Sequence, residues 1–181
     1  SHQAGRLREW IKALPDDVVR VRPVLCTYYA FAILGLREMA LADALLNDAE
    51  RWLDAAVDAA GERRLPAGML VADQEELRSL PGTIALARSF RAQAVGDVAG
   101  AAEQARRALK LLPEDDHVWR GGAALLLALA HWSRGDLGEA QRIHDGGVVS
   151  LKRAGDITLA ISAAFDGADL RKASGRLSDA R

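Results

Sequence analysis

Apolar and small residues recur along this chain at the spacing of α-helices. Between residues 38 and 60 one helix face is formed by Leu45, Ala49, Trp52, Leu53 and Ala56, whose positions fall on the same side of a helical turn. Ala and Leu dominate the apolar positions, and few stretches are rich in β-branched residues. The pattern therefore predicts an all-α protein and excludes an all-β fold.

Four segments share a turn signal followed by the start of a helix. Each has a Gly with an Ala five residues later, namely Gly35 and Ala40, Gly96 and Ala101, Gly135 and Ala140, and Gly175 and Ala180. The four glycines are separated by 61, 39 and 40 residues. The last two intervals define a repeat, and the first interval contains an insertion.

Each turn predicts a helix–turn–helix unit. Gly ends the first helix because it adopts the left-handed conformation without a Cβ clash, and Asp97 and Asp136 are placed to cap the next helix. We expect Ala101 and Ala140 to be buried where the two helices cross. One pair cannot bury its apolar face alone, so we predict a single domain, residues 1–181, built as a right-handed superhelix of about four stacked antiparallel helix pairs, an α-solenoid.

The helix boundaries follow from these anchors. We predict helices over 3–13, 23–35, 38–60, 70–80, 83–95, 97–112, 116–134, 136–153 and 156–174, and the start of another helix after Gly175. Residues 61–68 are predicted to form an irregular connection, and Pro81-Gly82 to break or kink the chain between two helices.

Residues 96–113 resemble the second half of a tetratricopeptide repeat, with Ala101, Ala108 and Pro113 at its small-residue and closing-proline positions. The whole chain resembles the helical-repeat sensor region of the large ATP-dependent LuxR-type transcriptional activators, the group that includes the maltose-regulon activator. The segments that carry this second resemblance are Leu7-Arg-Glu-Trp10, Leu14-Pro15, Arg22-Pro23-Val-Leu25, Ala49-Glu-Arg-Trp-Leu53, Leu80-Pro-Gly82, Gly96-Asp97, Ala108-Leu-Lys-Leu-Leu-Pro113, Arg120, Gly135-Asp-Leu-Gly-Glu-Ala140, Ala154-Gly155-Asp156 and Gly175-Arg-Leu.

The resemblance implies a regulatory module that binds a small-molecule inducer or a regulatory protein. In that group an ATP-binding domain precedes the repeats and a helix-turn-helix follows them. This sequence contains no G-x-x-x-x-G-K-[ST] phosphate loop, so we expect a piece of a longer protein in which ATP binds only to another domain. The alternative is a structural scaffold or oligomerisation repeat that self-associates and has no ligand of its own.

The charge balance argues against direct contact with nucleic acid. The chain has 24 Lys and Arg against 25 Asp and Glu, a net charge of −1, without the basic excess that phosphate backbones require. No apolar run is long enough to span a membrane, and the first residues have no secretory pattern. Cys26 is the one cysteine and is expected to be a buried hydrophobe in a reducing, cytoplasmic protein.

Motifs for catalysis and metal binding are missing from the sequence. There is no G-x-S-x-G, no H-E-x-x-H and no cysteine pair. His117, His131 and His144 lack the short spacing that places two ligands on one helix face, and Asp115 and Asp116 fit a helix cap better than acid–base catalysis. We therefore predict neither an enzyme nor a metal site.

Aromatic residues point to a groove. Counting back from each turn glycine places one aromatic on the first helix of every unit, and the predicted ligand or partner groove consists of Tyr29, Phe90, Gln93, Leu129, Trp132, Phe165 and Asp169. Aromatic faces suit sugars, planar metabolites or apolar side chains, while Gln93 and Asp169 would orient polar groups. The alternative is that each ring fills the core between helices. Trp10, Trp52 and Trp119 are expected to pack between repeats.

Overall fold

The computed structural model describes residues 16–55, 67–70 and 73–175. These residues form eight α-helices and no β-strand, which confirms the all-α class. The helices are α1 (Asp16–Arg20), α2 (Pro23–Leu34), α3 (Met39–Ala55), α4 (Gln74–Ala94), α5 (Val98–Leu111), α6 (His117–Ser133), α7 (Leu137–Ala154) and α8 (Ile157–Ala173). The helix predicted over 3–13, most of the 61–68 connection, Trp10 and the helix predicted after Gly175 lie outside the described residues.

Aspartates begin the helices of the repeating part, as predicted. Asp97 Oδ1 accepts a hydrogen bond from the Gly100 amide at 2.9 Å, and Asp136 Oδ1 accepts one from the Glu139 amide at 3.4 Å. Asp116 and Asp156 cap α6 and α8 in the same way. Each cap satisfies one of the amides that the first helical turn leaves unpaired.

Left-handed glycines form the turn after the first helix in three of the four predicted units. The φ angle is 81° at Gly96, 81° at Gly135 and 76° at Gly175, a region that residues with a Cβ rarely adopt. Gly35 was expected to do the same, and this expectation is wrong, because its φ is −62° and right-handed. The chain reverses two residues later, at Arg37, whose φ is 64°.

Pro81 neither breaks nor ends a helix. The two helices predicted over 70–80 and 83–95 are one helix, α4, with Pro81 inside it. A proline in a helix interior removes a backbone donor and costs about 3 kcal/mol. The helix continues because residues on both sides of the proline are buried, including Leu80 and Ile84, and their removal from water outweighs that cost.

The helices pack in an ordered series. Helix α2 contacts α3, α4 contacts α5, and α6 contacts α7, so neighbours along the chain form pairs. Helix α4 also contacts both α2 and α6, which places the first helices of these pairs beside one another. Ala101 on α5 and Ala140 on α7 are fully buried, as predicted for close helix crossings.

Candidate functional site

The seven residues of the predicted groove lie on four helices, and Tyr29 is in the core. Its side chain is 6% exposed and belongs to the hydrophobic cluster that contains Ile33 and Leu46. The Tyr29 ring therefore fills core space between helices, which was the alternative to a groove position. Phe90, Leu129 and Phe165 expose 36%, 37% and 72% of their surface.

The polar members of the predicted groove differ from each other in burial. Asp169 is exposed, and its Oδ1 lies 3.2 Å from Lys172 Nζ. Gln93 and Trp132 are partly buried, and the Gln93 side-chain oxygen has no hydrogen-bond partner among the described residues. A ligand site on these residues stays a prediction.

A cavity of about 470 Å³ lies in another part of the molecule, between α2, the first half of α4 and the start of α6. Its volume falls in the range of small-molecule sites, roughly 300–1,000 Å³. We call it the aromatic cavity and define it by six of its lining residues, Tyr28, Phe31, Glu76, Ser79, Asp116 and Trp119. None of the seven predicted groove residues lines it.

Three aromatic rings form one side of the aromatic cavity. Trp119 stacks on Phe31, with ring centroids 5.4 Å apart and planes 20° apart. Tyr28 is tilted by 43° against Trp119 at a centroid distance of 5.7 Å. Tyr28 and Phe31 are on α2 and Trp119 is on α6, so the cavity wall is also a contact between two helix pairs.

The polar part of the lining comes mainly from α4 and from the residues just before α6. Ser79 is buried, and its hydroxyl donates a hydrogen bond to Asp116 Oδ2. The other oxygen of Asp116 accepts from the Trp119 amide at 3.3 Å. Asp116 therefore caps α6 and ties α4 to it, which fixes the position of the Trp119 backbone relative to the cavity.

Glu76 and Tyr28 connect the polar and aromatic sides. The Tyr28 hydroxyl donates to Glu76 Oε1 at 3.4 Å. Burial raises the pKa of Tyr28, and the negative charge of Glu76, the hydrogen bond to it, and the charges of Asp116 and Asp73 raise it further. Each of these causes disfavours the negatively charged tyrosinate form, so the Tyr28 hydroxyl remains neutral at physiological pH.

Sequence reasoning expected Trp119 to pack between repeats. Its ring does stack on Phe31 of another helix pair, but the cavity that the same ring lines was missed. The groove residues were chosen by counting back from the turn glycines. In the first unit the reversal is at Arg37 instead of Gly35, and the same count from Arg37 gives Phe31, which lines the cavity, instead of the buried Tyr29. The three-residue spacing of Tyr28 and Phe31, which puts both rings on one helix face, was the available signal.

Cys26 is packed inside the protein. Cys26 is fully buried, its thiol donates to the Val19 carbonyl at 3.2 Å, and burial raises its pKa to about 12, as expected of a packed hydrophobe. Within the described ranges, no cluster of three His, Cys, Asp or Glu side chains is arranged to hold a metal ion. No helix there is long and apolar enough to cross a membrane.

Comparison with known proteins assigns no function to this cavity. No family model, no curated protein and no solved structure matches the chain.

Proposed function

We propose that this chain is a helical-repeat binding module of a LuxR-type transcriptional regulator, in which an inducer or a protein partner is bound and signalled to ATPase and DNA-binding domains elsewhere in the protein. The proposal rests on the sequence resemblance described above and on a cavity built from several helix pairs. It makes the chain a cytoplasmic regulatory module and not an enzyme. ATP would bind to another domain.

The proposed architecture is a right-handed superhelix of stacked helix pairs. Three left-handed glycines, Gly96, Gly135 and Gly155, support it, because each is followed by an aspartate that caps the next helix. The side-by-side packing of α2, α4 and α6 supports it as well, because the first helices of stacked pairs line one face of a solenoid.

One observation carries the binding function: the aromatic cavity is made jointly by neighbouring helix pairs. Its rings come from α2 and α6, its polar groups come from α4 and the start of α6, and Arg153 at its edge comes from α7. A ligand that touches all of these elements binds best to one arrangement of the pairs. Such differential binding is what a sensor needs in order to shift a conformational equilibrium.

A reporter assay with the full-length regulator tests this function. We expect Trp119→Ala and Tyr28→Ala to abolish induction while the protein stays folded. Phe90→Ala and Trp132→Ala test whether the inducer binds instead to the groove predicted from the sequence. Loss of induction only in the second pair would move the site to that groove. Normal induction in all four would favour the scaffold.

The isolated chain provides a second test. We expect it neither to bind duplex DNA nor to hydrolyse ATP, since its net charge is −1 and it has no phosphate loop. Fluorescence anisotropy with a labelled duplex and a phosphate-release assay measure the two properties. Salt-sensitive duplex binding at micromolar concentration, or ATP turnover above background, would contradict this part of the proposal.

The scaffold alternative is favoured by one surface. Helix α8 exposes a row of apolar side chains at four-residue spacing, Ile157, Ile161 and Phe165, with 60%, 55% and 72% of their surface accessible. Such a row is typical of a face that packs on a further repeat or on another copy. Sedimentation velocity of the chain and of its Ile161→Glu variant measures this association directly.

A further inference from the structure

The charge of the aromatic cavity selects a class of ligand. Four carboxylates line it, those of Glu75, Glu76, Asp115 and Asp116, against one guanidinium, that of Arg153. Aromatic rings and carboxylates that line the same cavity stabilise an organic cation, because the π-face and the carboxylate are both negative.

We propose that the aromatic cavity binds a small molecule through an ammonium group, held between the rings of Tyr28 and Trp119 and the carboxylate of Glu76. This inference rests on the proposed binding function and names its ligand class. The cation would lie against the two rings and would neutralise the Glu76 carboxylate, which accepts a hydrogen bond from the Tyr28 hydroxyl at 3.4 Å.

Glu76 is the carboxylate available for this contact, since Glu75 is exposed to solvent. Both oxygens of Asp116 already accept hydrogen bonds, from Ser79 and from the Trp119 amide. Asp115 lies 3.6 Å from the guanidinium of Arg78. Glu76 is half-buried on the face of α4 that lines the cavity, and a long hydrogen bond to a neutral hydroxyl leaves most of its charge to be compensated.

The shape of the site favours a small molecule over a peptide. The cavity is bounded by α2, α4, α6 and the end of α7, and its volume of about 470 Å³ suits a ligand of metabolite size. The rise in the pKa of Tyr28, caused first by burial and then by the neighbouring carboxylates, reflects the same negative environment that would attract a cation.

A titration of the 181-residue chain followed by heteronuclear NMR tests the proposal. The probes are choline and its neutral isostere, in which a tert-butyl group replaces the trimethylammonium group. The chain has four tryptophans, and Trp119→Phe identifies the Trp119 indole signal by its loss. We expect choline to shift this signal saturably, and the isostere to shift it at least about tenfold more weakly.

Matched variants test the role of the carboxylate. We expect Glu76→Gln, which keeps size and shape, to weaken choline binding about tenfold. Glu103→Gln removes an exposed carboxylate of α5 and should leave binding unchanged. Circular dichroism melting curves establish that both variants stay folded.

The outcomes separate this inference from the proposed function. Equal shifts by choline and its isostere, or unchanged choline binding in Glu76→Gln, would overturn the cation assignment while leaving a binding cavity. A response to a lysine-containing peptide with none to choline would overturn the small-molecule assignment in favour of a protein partner. Absence of any response would overturn the cation inference, and the reporter assay judges the regulatory function independently.

Discussion

Gly121 of α6 and Leu151 of α7 pack so closely that a Cβ on Gly121 would lie 2.7 Å from Leu151 Cγ. The preceding pair repeats this contact, since a Cβ on Gly82 would lie 2.5 Å from Leu112 Cγ. The glycines are 39 residues apart, and so are the leucines. The repeat is therefore present in the packing of the helices as well as in the turn residues. These glycine–leucine contacts fix the distance between the two helices of each pair.

We predict that Gly121→Ala destabilises the protein by about 1–3 kcal/mol, because the added methyl group overpacks a buried contact. Urea unfolding followed by circular dichroism measures the change. Gly146→Ala is the matched control, since this glycine is also inside a helix, α7, but has no atom within 4 Å of its added Cβ. It should stabilise the helix by about 0.5–1 kcal/mol. Equal effects of the two variants would contradict the close crossing.

Ala101 provides a second test of helix crossing. It is fully buried on α5, and its carbonyl accepts a hydrogen bond from the buried hydroxyl of Ser89 on α4 at 2.8 Å. We expect Ala101→Leu to lower the free energy of unfolding by about 1–3 kcal/mol by forcing α4 and α5 apart. Ala99→Leu, at an exposed position of the same helix, should change it by less than about 0.5 kcal/mol. An unchanged denaturation midpoint in Ala101→Leu would refute the crossing.

Arg88 joins α4 to α3. Its guanidinium lies 2.9 Å from Asp43 Oδ1 and 2.8 Å from Glu50 Oε2, and it donates to Asn47 Oδ1 at 2.6 Å. We expect Arg88→Met to cost about 1–2 kcal/mol, because partly buried carboxylates lose their partner while keeping some contact with water. Chemical denaturation in urea at low salt measures this cost.

The control for Arg88 is an ion pair on the surface. Arg142 pairs with Glu139 one helical turn away on α7, and its side chain is exposed. We expect Arg142→Met to leave the denaturation midpoint unchanged, since solvent screens exposed pairs. A loss of stability in Arg142→Met as large as that in Arg88→Met would show that burial does not distinguish the two networks.

The raised pKa of Tyr28 predicts a loss of stability at alkaline pH. The group is neutral in its protonated form, and folding favours that form, so its contribution is fully present below the ordinary tyrosine pKa of 10.0. It is lost as the pH rises from there through the higher pKa of the folded state. The ultraviolet absorbance of tyrosinate in a Tyr29→Phe background, where Tyr28 is the one tyrosine left, measures the titration.

Glu76→Gln distinguishes charge from burial in this shift. We expect the variant to lower the pKa of Tyr28 part of the way toward its ordinary value, because burial remains while the nearest negative charge is removed. Glu103→Gln should leave the titration unchanged. If the pKa of Tyr28 is identical in the parent and in Glu76→Gln, the Glu76 carboxylate does not lie beside the Tyr28 hydroxyl in the cavity.

The sequence by itself determined the helices and their ends in the regular part of the chain. Apolar periodicity, aspartate caps and left-handed glycines are local properties, and each acts within a few residues. For that reason Asp97, Asp136, Gly96 and Gly135 were placed correctly, and each end of α5 to α8 differs from its predicted position by one residue.

Only the tertiary structure decided where local rules conflict with packing. Pro81 is a helix breaker by propensity, yet α4 runs through it because buried neighbours on both sides hold the helix together. At Gly35 a glycine was available for a left-handed turn, but the chain uses Arg37.

The aromatic cavity also depended on tertiary structure, because its members come from distant parts of the chain. Tyr28, Glu76 and Trp119 are separated by more than forty residues from one another, and no local pattern relates them. Helix packing brings them together, and the one-residue difference between Tyr29 in the core and Tyr28 at the cavity is set by the rotation of α2 against α4 and α6. Periodicity predicts that a helix has a buried face, whereas the neighbours of that helix decide which aromatic ring lies in the core and which remains open to a ligand.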